Sequence, residues 1–336
     1  MKVSLSTQLS ELSEEQIIAI LRTSYPKGDN PTEIDNDDAA VVSVPVEARL
    51  ATSSDVLIEN EDFVFPEFSA YDVGWKTAAV NLSDIGAMGG TPTGLLVTLG
   101  INRRSTVAEL VGYARGVREA VARISPEVSI WGGDLSNSAL MISQATSYGV
   151  VTNPISRSGA QVGDVIAYAG QLGYAAAGLR ILVGQRDRSA ELQGVERTGI
   201  VERAVEAQLR PTPPVALGAV AAAAGAHAMI DVSDGLARDG ARIGLASEVT
   251  LDFASSALSG HCAELGWVRH TLNVDPWELV MAGGEDFGLL ATFAKGANLP
   301  AGFEVIGEVV PRGEHGVLLS GRQTEYLGFD HFSGSH

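Results

Sequence analysis

One cysteine, Cys262, stands in 336 residues, which excludes a disulfide framework and any cysteine-based zinc site. Aromatic residues make up only 6% of the chain, too few for a surface on which bases stack. Basic residues are also short. The 23 Lys and Arg against 41 Asp and Glu leave a formal net charge of −18. A field of that sign repels nucleic acid and anionic membrane surfaces. An anionic substrate then needs a local remedy, either clustered cations or bound metal ions. No apolar run approaches the roughly 18 residues of a membrane span, and the opening MKVSLSTQLSELSEEQ has no signal-peptide core. The expectation is a cytoplasmic protein that binds neither nucleic acid nor membrane. Glycine is plentiful, with 38 residues, but these and the 13 prolines are dispersed, so collagen-like and low-complexity readings fail. The length predicts about two domains and is ample for a buried core.

Helical spacing of Leu12, Ile17, Ile18 and Leu21 predicts a helix over 9–22, with Ser13 and two glutamates at its start. AAVVSVP and ARLATSSDVLI read as short strands. Residues 71–88 predict a helix closed by Gly89, Gly90 and Pro92. TGLLVTLGI is a strand, 105–124 a helix, VSIWGG a strand then a turn, and 139–151 a strand. The turn-rich NPISRSGAQVGD marks a boundary, which divides the chain into 1–153 and 154–336. Beyond it, DVIAYAG begins a strand and a helix-rich stretch runs from Tyr174 to Gln208. An Ala-rich helix covers 215–226, HAMIDVSDGLARDGARIGLAS reads strand, acidic turn, helix, and 281–293 reads Gly-Gly-acidic turn, then strand. The alternation favours two α+β or α/β domains over one doubly wound sheet.

Six short acidic motifs abut apolar stretches: Asp37-Asp38, Ser53-Ser54-Asp55, Asn81-Leu82-Ser83-Asp84, Gly132-Gly133-Asp134, Asp231-Val232-Ser233-Asp234-Gly235 and Gly283-Gly284-Glu285-Asp286. On an ideal helix Thr77, Asn81, Asp84 and Met88 share a face, and the Ala and Val neighbours predict that the helix is largely buried. A carboxylate near a core is costly without a partner, and cations are few. Oxygen ligands point to Mg²⁺, or less often Ca²⁺ or Mn²⁺, bridging carboxylates to phosphates. Taken singly, each Asp is equally a turn former or a helix cap, as Asp234 ahead of Gly235-Leu236 would be. The Gly-Gly pairs either let backbone N–H groups approach phosphate oxygens or form tight turns. No P-loop and no protein-kinase catalytic loop occurs. Arg157, in a turn, is the best candidate cation for a phosphate, or else a surface arginine. The histidines lack metal spacing, and Cys262 beside His261 does not make a nucleophile pair.

In order, DDAAVV (37–42), SSDVLI (53–58), AVNLSDIGAMG (79–89), GGD (132–134), SRSGAxxGD (156–164), MIDVSDGL (229–236) and GGEDF (283–287) resemble the thiamine-monophosphate kinase family. That family sits in the superfamily of aminoimidazole ribonucleotide synthetase and selenophosphate synthetase. The resemblance implies an N-terminal domain with a mixed β-sheet and flanking helices, paired through its sheet in a homodimer. It implies a C-terminal α/β domain that closes over the nucleotide. The implied reaction converts ATP and thiamine monophosphate to ADP and thiamine diphosphate by direct in-line transfer with several Mg²⁺ ions. By motif, Asp38, Ser53, Ser54, Asp55, Asp84, Asp134 and Asp231 would hold metal. Asp234 would hold a further metal near the transferred group, with Asp84 and Asp234 the residues closest to the chemistry. Gly133, Asp134, Arg157 and Ser233 would contact ATP, and Glu285 and Phe329 the thiamine moiety.

Two positions depart from the family pattern. Asn36 replaces a glycine before the paired Asp, a mild change because Asn tolerates left-handed φ. Asp62, in Glu61-Asp62-Phe63, replaces a His that would meet the substrate phosphate. Two further readings therefore stand beside the first: a related ATP-dependent enzyme with another acceptor, and an ATP-binding homologue without turnover. Selenophosphate synthetase would want an N-terminal reactive Cys, and the hydrogenase-maturation relative a C-terminal one. Neither is present.

Overall fold

The computed structural model describes residues 3–26, 28–29, 42–186, 199–326 and 328–329. The chain divides into two compact units, Met1–Ile85 with Thr91–Thr152, and Gly86–Gly90 with Asn153–His336. The first unit opens with a 3₁₀ turn at Leu9–Glu11 and helix α1 (Glu14–Ser24). Ser13 caps α1: its hydroxyl accepts from Gln16 N–H and its own N–H donates to the Gln16 side chain. Then come β1 (Arg49–Ile58), α2 (Ala70–Ala87), β2 (Thr91–Ile101), α3 (Val107–Ile124), β3 (Ser129–Asn137) and β4 (Ile142–Val151). The sheet order is β1-β4-β2-β3, antiparallel except for the parallel β2–β3 pair. Residues 42–48 form no strand, so the expected AAVVSVP strand is absent where it is described.

Helices α2 and α3 cover one face of this sheet. Thr77 and Tyr113 both reach the Ser143 hydroxyl of β4, each at 2.7 Å. The helices meet through glycines. A Cβ on Gly74 would lie 2.1 Å from the Tyr113 carbonyl oxygen, and one on Gly116 would lie 2.0 Å from that of Tyr71. Backbone stands in the way in both cases, so an added methyl must push the helices apart. Gly116→Ala is expected to destabilise the unit by about 2–3 kcal/mol, read as a lower urea midpoint. An unchanged midpoint would contradict this packing. The other face of the sheet carries Val56 and Leu50, 45% and 50% exposed, together with Gln144, Thr146 and Tyr148. Trp131 lies across Gly94 on that side, its ring 5.4 Å from that of Tyr148.

The second unit contains β5 (Val165–Ala169), α4 (Tyr174–Arg186), α5 (Ile200–Leu209), α6 (Ala216–Ala223), β6 (Ala228–Asp231) and α7 (Leu236–Ser247). It continues with β7 (Val249–Phe253), α8 (Ser255–Glu264), α9 (Val268–Thr271), α10 (Pro276–Ala282), β8 (Leu289–Phe293), β9 (Glu304–Pro311), β10 (Val317–Leu319) and β11 (Arg322–Gln323). Its mixed sheet runs β11-β10-β7-β9-β5-β8-β6. Met229, Leu289, Ala291, Phe293 and Phe303 form a core beside the inner strands. No helix among the described residues is long and apolar enough to cross a membrane.

Candidate functional site

In the first unit, strand alternation and helix period converge on one point. Ser53 and Asp55 alternate with Ser54 along β1, so they face the helices while Ser54 faces away. Ser53 Oγ donates to Asp84 Oδ2 at 2.5 Å. One helical turn earlier, Asn81 Oδ1 accepts from the Asp55 N–H at 3.0 Å, and its Nδ2 donates to the Thr77 carbonyl. The helical face expected from the sequence therefore exists, with Thr77 and Asn81 fully buried and Asp84 half-buried. Met88 does not share that burial; it is 40% exposed, just past the end of α2.

Ser54 lies on the open face, where its hydroxyl donates to the Ala145 carbonyl and accepts from Gln144. Gly132 and Gly133 are not a turn. They continue β3, and a Cβ on Gly133 would fall 1.7 Å from the Val97 carbonyl oxygen. Cross-strand register aligns Asp55, Ala145, Val97 and Gly133. Three strand spacings, about 14 Å, thus separate Asp55 from the Gly133-Asp134 edge of the same sheet. Asp134 is exposed, in line with Thr98, Gln144 and Val56 on the open face. Among the described residues no group of three or more His, Cys, Asp or Glu side chains is arranged to hold a metal ion. Asp38 lies outside the described residues.

Asp62 has a local task. Its carboxylate accepts from Ile58 N–H at 2.8 Å and its N–H donates to the Ile58 carbonyl, closing the turn that ends β1.

In the second unit, the loop from β6 into α7 is the hub. Buried Asp231 ends β6. The Ser233 carbonyl accepts from Glu285 N–H at 2.7 Å, and the Asp234 carbonyl accepts from Phe329 N–H at 2.9 Å. Residues 50 and more positions apart in sequence are thereby joined by main chain. Asp234 is not the helix cap; Gly235 occupies that position at φ 109°. The Asp234 carboxylate instead accepts from Arg242 at 2.5 Å. Behind it, Asp239 is fully buried and accepts from the N–H groups of Ser233 (3.0 Å) and Asp234 (2.9 Å), and from Arg242 (2.5 Å). Burial pushes the Asp239 carboxyl up to about 6 against these donors. Asp239 and Arg242 shape the loop, and the motif reading passed over both. The signal was present: Asp239 shares the apolar face of α7 with Leu236 and Ile243.

Arg157 is exposed in the loop before β5. Ser247 Oγ donates to its carbonyl and accepts from Gly159 and Ala160 N–H, so the loop is fixed while the guanidinium remains at the surface.

The Glu285-Asp286 pair splits two ways. Both Glu285 and Phe287 adopt left-handed φ, 67° and 50°. Glu285 accepts a hydrogen bond from Gln208 Nε2 of α5. Asp286 turns to the start of α4 and accepts from Gly173 N–H (2.6 Å) and Ala175 N–H (3.2 Å).

The family model for AIR synthase related protein, N-terminal domain, matches residues 36–151. The thiamine-monophosphate kinase of Mycobacterium tuberculosis is 36% identical over 299 residues, covering 88% of this chain and 84% of that protein. The chain belongs to the thiamine-monophosphate kinase family. Members of this family are phosphotransferases. Their fold is shared along nearly the whole chain. The solved structure of AaThiL complexed with AMPPCP and TMP superposes with a TM-score of 0.74 at 27% identity, covering 98% of this chain and 100% of that one. The thiamine-monophosphate kinase of Stenotrophomonas maltophilia gives 0.72 at 29% identity, covering 92% and 95%.

Within this kinase fold several candidate groups are structural. Cys262 is buried, and burial pushes its thiol up to about 11. His227 pairs with Asp164 at 2.9 Å and His261 with Glu304 at 2.6 Å. The Asp286 carboxyl is pushed up to about 8, chiefly by burial; the Gly173 and Ala175 N–H groups pull it down and Glu285 adds to the rise. A raised carboxyl holds a proton in the folded state that the unfolded chain releases. Its contribution to stability is present below the ordinary carboxylate range near ~4 and is lost as pH rises through 8. The thermal midpoint is expected to fall between pH 5 and 9, with a shallower fall in Asp286→Asn. Equal slopes in both proteins would contradict this assignment.

Proposed function

We propose that this protein phosphorylates thiamine monophosphate to thiamine diphosphate at the expense of ATP. The observation that carries the reading is the Ser53–Asp84 hydrogen bond of 2.5 Å, which joins the SSD and NLSD motifs at one point. The relatives' names support the substrates: thiamine-monophosphate kinase for the curated proteins, and a complex with AMPPCP and TMP for a solved one. In the reaction an oxygen of the substrate phosphate attacks the γ-phosphorus, the bond to the ADP oxygen breaks, and ADP leaves.

The donor set fits Mg²⁺, since every group offered is an oxygen. Ser53, Asp55, Asp84, Asp231 and Asp234 would hold the ions, joined by Asp38, with Ser54 and Asp134 contributing from the open face. When bound, Mg²⁺ neutralises phosphate charge and so removes the conflict with an acidic chain. Arg157, Gly133 and Ser233 would meet the nucleotide, Arg157 by its guanidinium and Gly133 by close backbone approach. Glu285 and Phe329 would orient the thiamine moiety. Asp62 would serve the substrate end by holding the turn after β1.

The same reading includes a homodimer formed through the first unit's sheet. The open face with Val56 and Leu50 exposed, and the places of β1 and β3 at the two ends of the sheet order among the described residues, support it. Asp55 and Asp134 cannot share one ion across about 14 Å of a single sheet. Two copies joined β1 to β3 would bring Asp134 of one beside Ser54-Asp55 of the other.

ADP formation tests the activity. It is expected only with thiamine monophosphate present, to stop on chelation and to resume with added Mg²⁺. ADP release that ignores either the acceptor or the chelator would overturn the proposal.

A further inference from the structure

Gln208 is the one polar residue in the buried stripe of α5, among Ala204, Val205 and Leu209. It is 1% exposed. Helix α5 is seated tightly on α4: a Cβ on Gly178 would lie 2.1 Å from the Ala204 carbonyl oxygen and 3.0 Å from the Gln208 Cβ. The Gln208 side chain is thus held by packing before it makes any polar contact. Its Nε2 donates to Glu285 Oε2. That bond also fixes which end of the amide is which, because the reverse would set two acceptors against each other. Its Oε1 is buried and has no hydrogen-bond partner among the described residues. A buried acceptor left unpaired is unfavourable, and a native site that keeps one calls for a donor that arrives from outside.

Glu285 is itself held in an unfavourable backbone conformation, φ 67°, by its N–H bond to the Ser233 carbonyl. The Glu285 carboxylate and the Gln208 carbonyl oxygen are therefore two acceptors held near one another by the Nε2 hydrogen bond. Thiamine monophosphate has few groups that could answer them. Its phosphate oxygens and pyrimidine ring nitrogens are acceptors, and its quaternary thiazolium nitrogen neither donates nor accepts. The exocyclic amine of the pyrimidine ring carries two N–H donors.

We propose that Gln208 is a specificity-determining residue of the substrate site: its carbonyl oxygen, beside Glu285, accepts an N–H of the exocyclic amine of the substrate's aminopyrimidine. This rests on the kinase reading above and deepens it. The pair reads an amine and disfavours an oxo group at the same ring position, since an oxo oxygen would meet the Glu285 carboxylate and the Gln208 carbonyl oxygen, both acceptors. Sites built to hydrogen-bond a substrate group discriminate far more strongly than apolar pockets do.

The test compares thiamine monophosphate with oxythiamine monophosphate, in which the amine is replaced by an oxo group, in wild type, Gln208→Met and Gln208→Asn. Wild type is expected to prefer the amine by about 100-fold or more in kcat/KM. Gln208→Met, which keeps the volume and removes the acceptor, is expected to raise KM for the amine substrate by about 10-fold or more. It should leave KM for ATP unchanged and narrow the preference over the oxo compound by a similar factor. Gln208→Asn, polar but shorter, should not restore it. Equal losses on both substrates, or an unaltered preference, would overturn the proposal. If the variants do not fold, wild type alone decides: equal use of the two compounds refutes this assignment. Wild type that turns over neither compound refutes the kinase reading, and this one with it.

Discussion

Asp84→Asn is expected to lower kcat by about 10³-fold or more, the range seen when a group that neutralises charge in phosphoryl transfer is removed. The fold should survive. Asp84 is half-buried, and its partner Ser53 donates a hydrogen bond that an amide oxygen can also accept. Asn81, one turn away, still anchors the Asp55 N–H. The substitution therefore removes charge from the junction of β1 and α2 while leaving its geometry. Steady-state rates together with the thermal midpoint separate the effects. A variant with an unchanged midpoint and wild-type kcat would remove Asp84 from the reacting centre.

Asp55→Asn and Asp134→Asn are each expected to be inactive alone, yet to regain activity when the two chains are co-expressed. The reason is the register across β1, β4, β2 and β3, which sets these residues on opposite edges of one sheet. If each site takes Asp55 from one copy and Asp134 from another, a mixed dimer carries one site with both substitutions and one with neither. Random pairing makes half of the dimers mixed, so about one quarter of wild-type activity should return. Mixed chains no more active than either variant alone would mean that each site is complete within a single chain.

How far the sequence speaks for itself differs from motif to motif. The face of Thr77, Asn81 and Asp84 follows from helical period alone, and Asn81 and Asp84 do meet β1. Ser53-Ser54-Asp55 is one motif in the chain but two faces in the sheet, because strand period is two; reading it as a unit hid the turn of Ser54 toward Gln144. Gly132-Gly133 invited a turn. In the structure Gly133 is needed instead for the close pass of the Val97 carbonyl oxygen. Asp239 and Gln208 were legible in principle, as polar residues on apolar helix faces, but neither belongs to an acidic or glycine motif. The short strands β7, β10 and β11 have too few residues for any periodicity to separate strand from helix. The joining of Ser233, Asp234, Glu285 and Phe329 by main-chain bonds depends on how distant segments fold back, which no local pattern encodes.

The most direct measurement is a phosphorus NMR time course with purified protein, ATP, Mg²⁺ and thiamine monophosphate. The account predicts paired loss of the thiamine monophosphate and ATP γ signals, with matching growth of the two diphosphate resonances of thiamine diphosphate and those of ADP. Unchanged thiamine monophosphate alongside bound or hydrolysed ATP would contradict it.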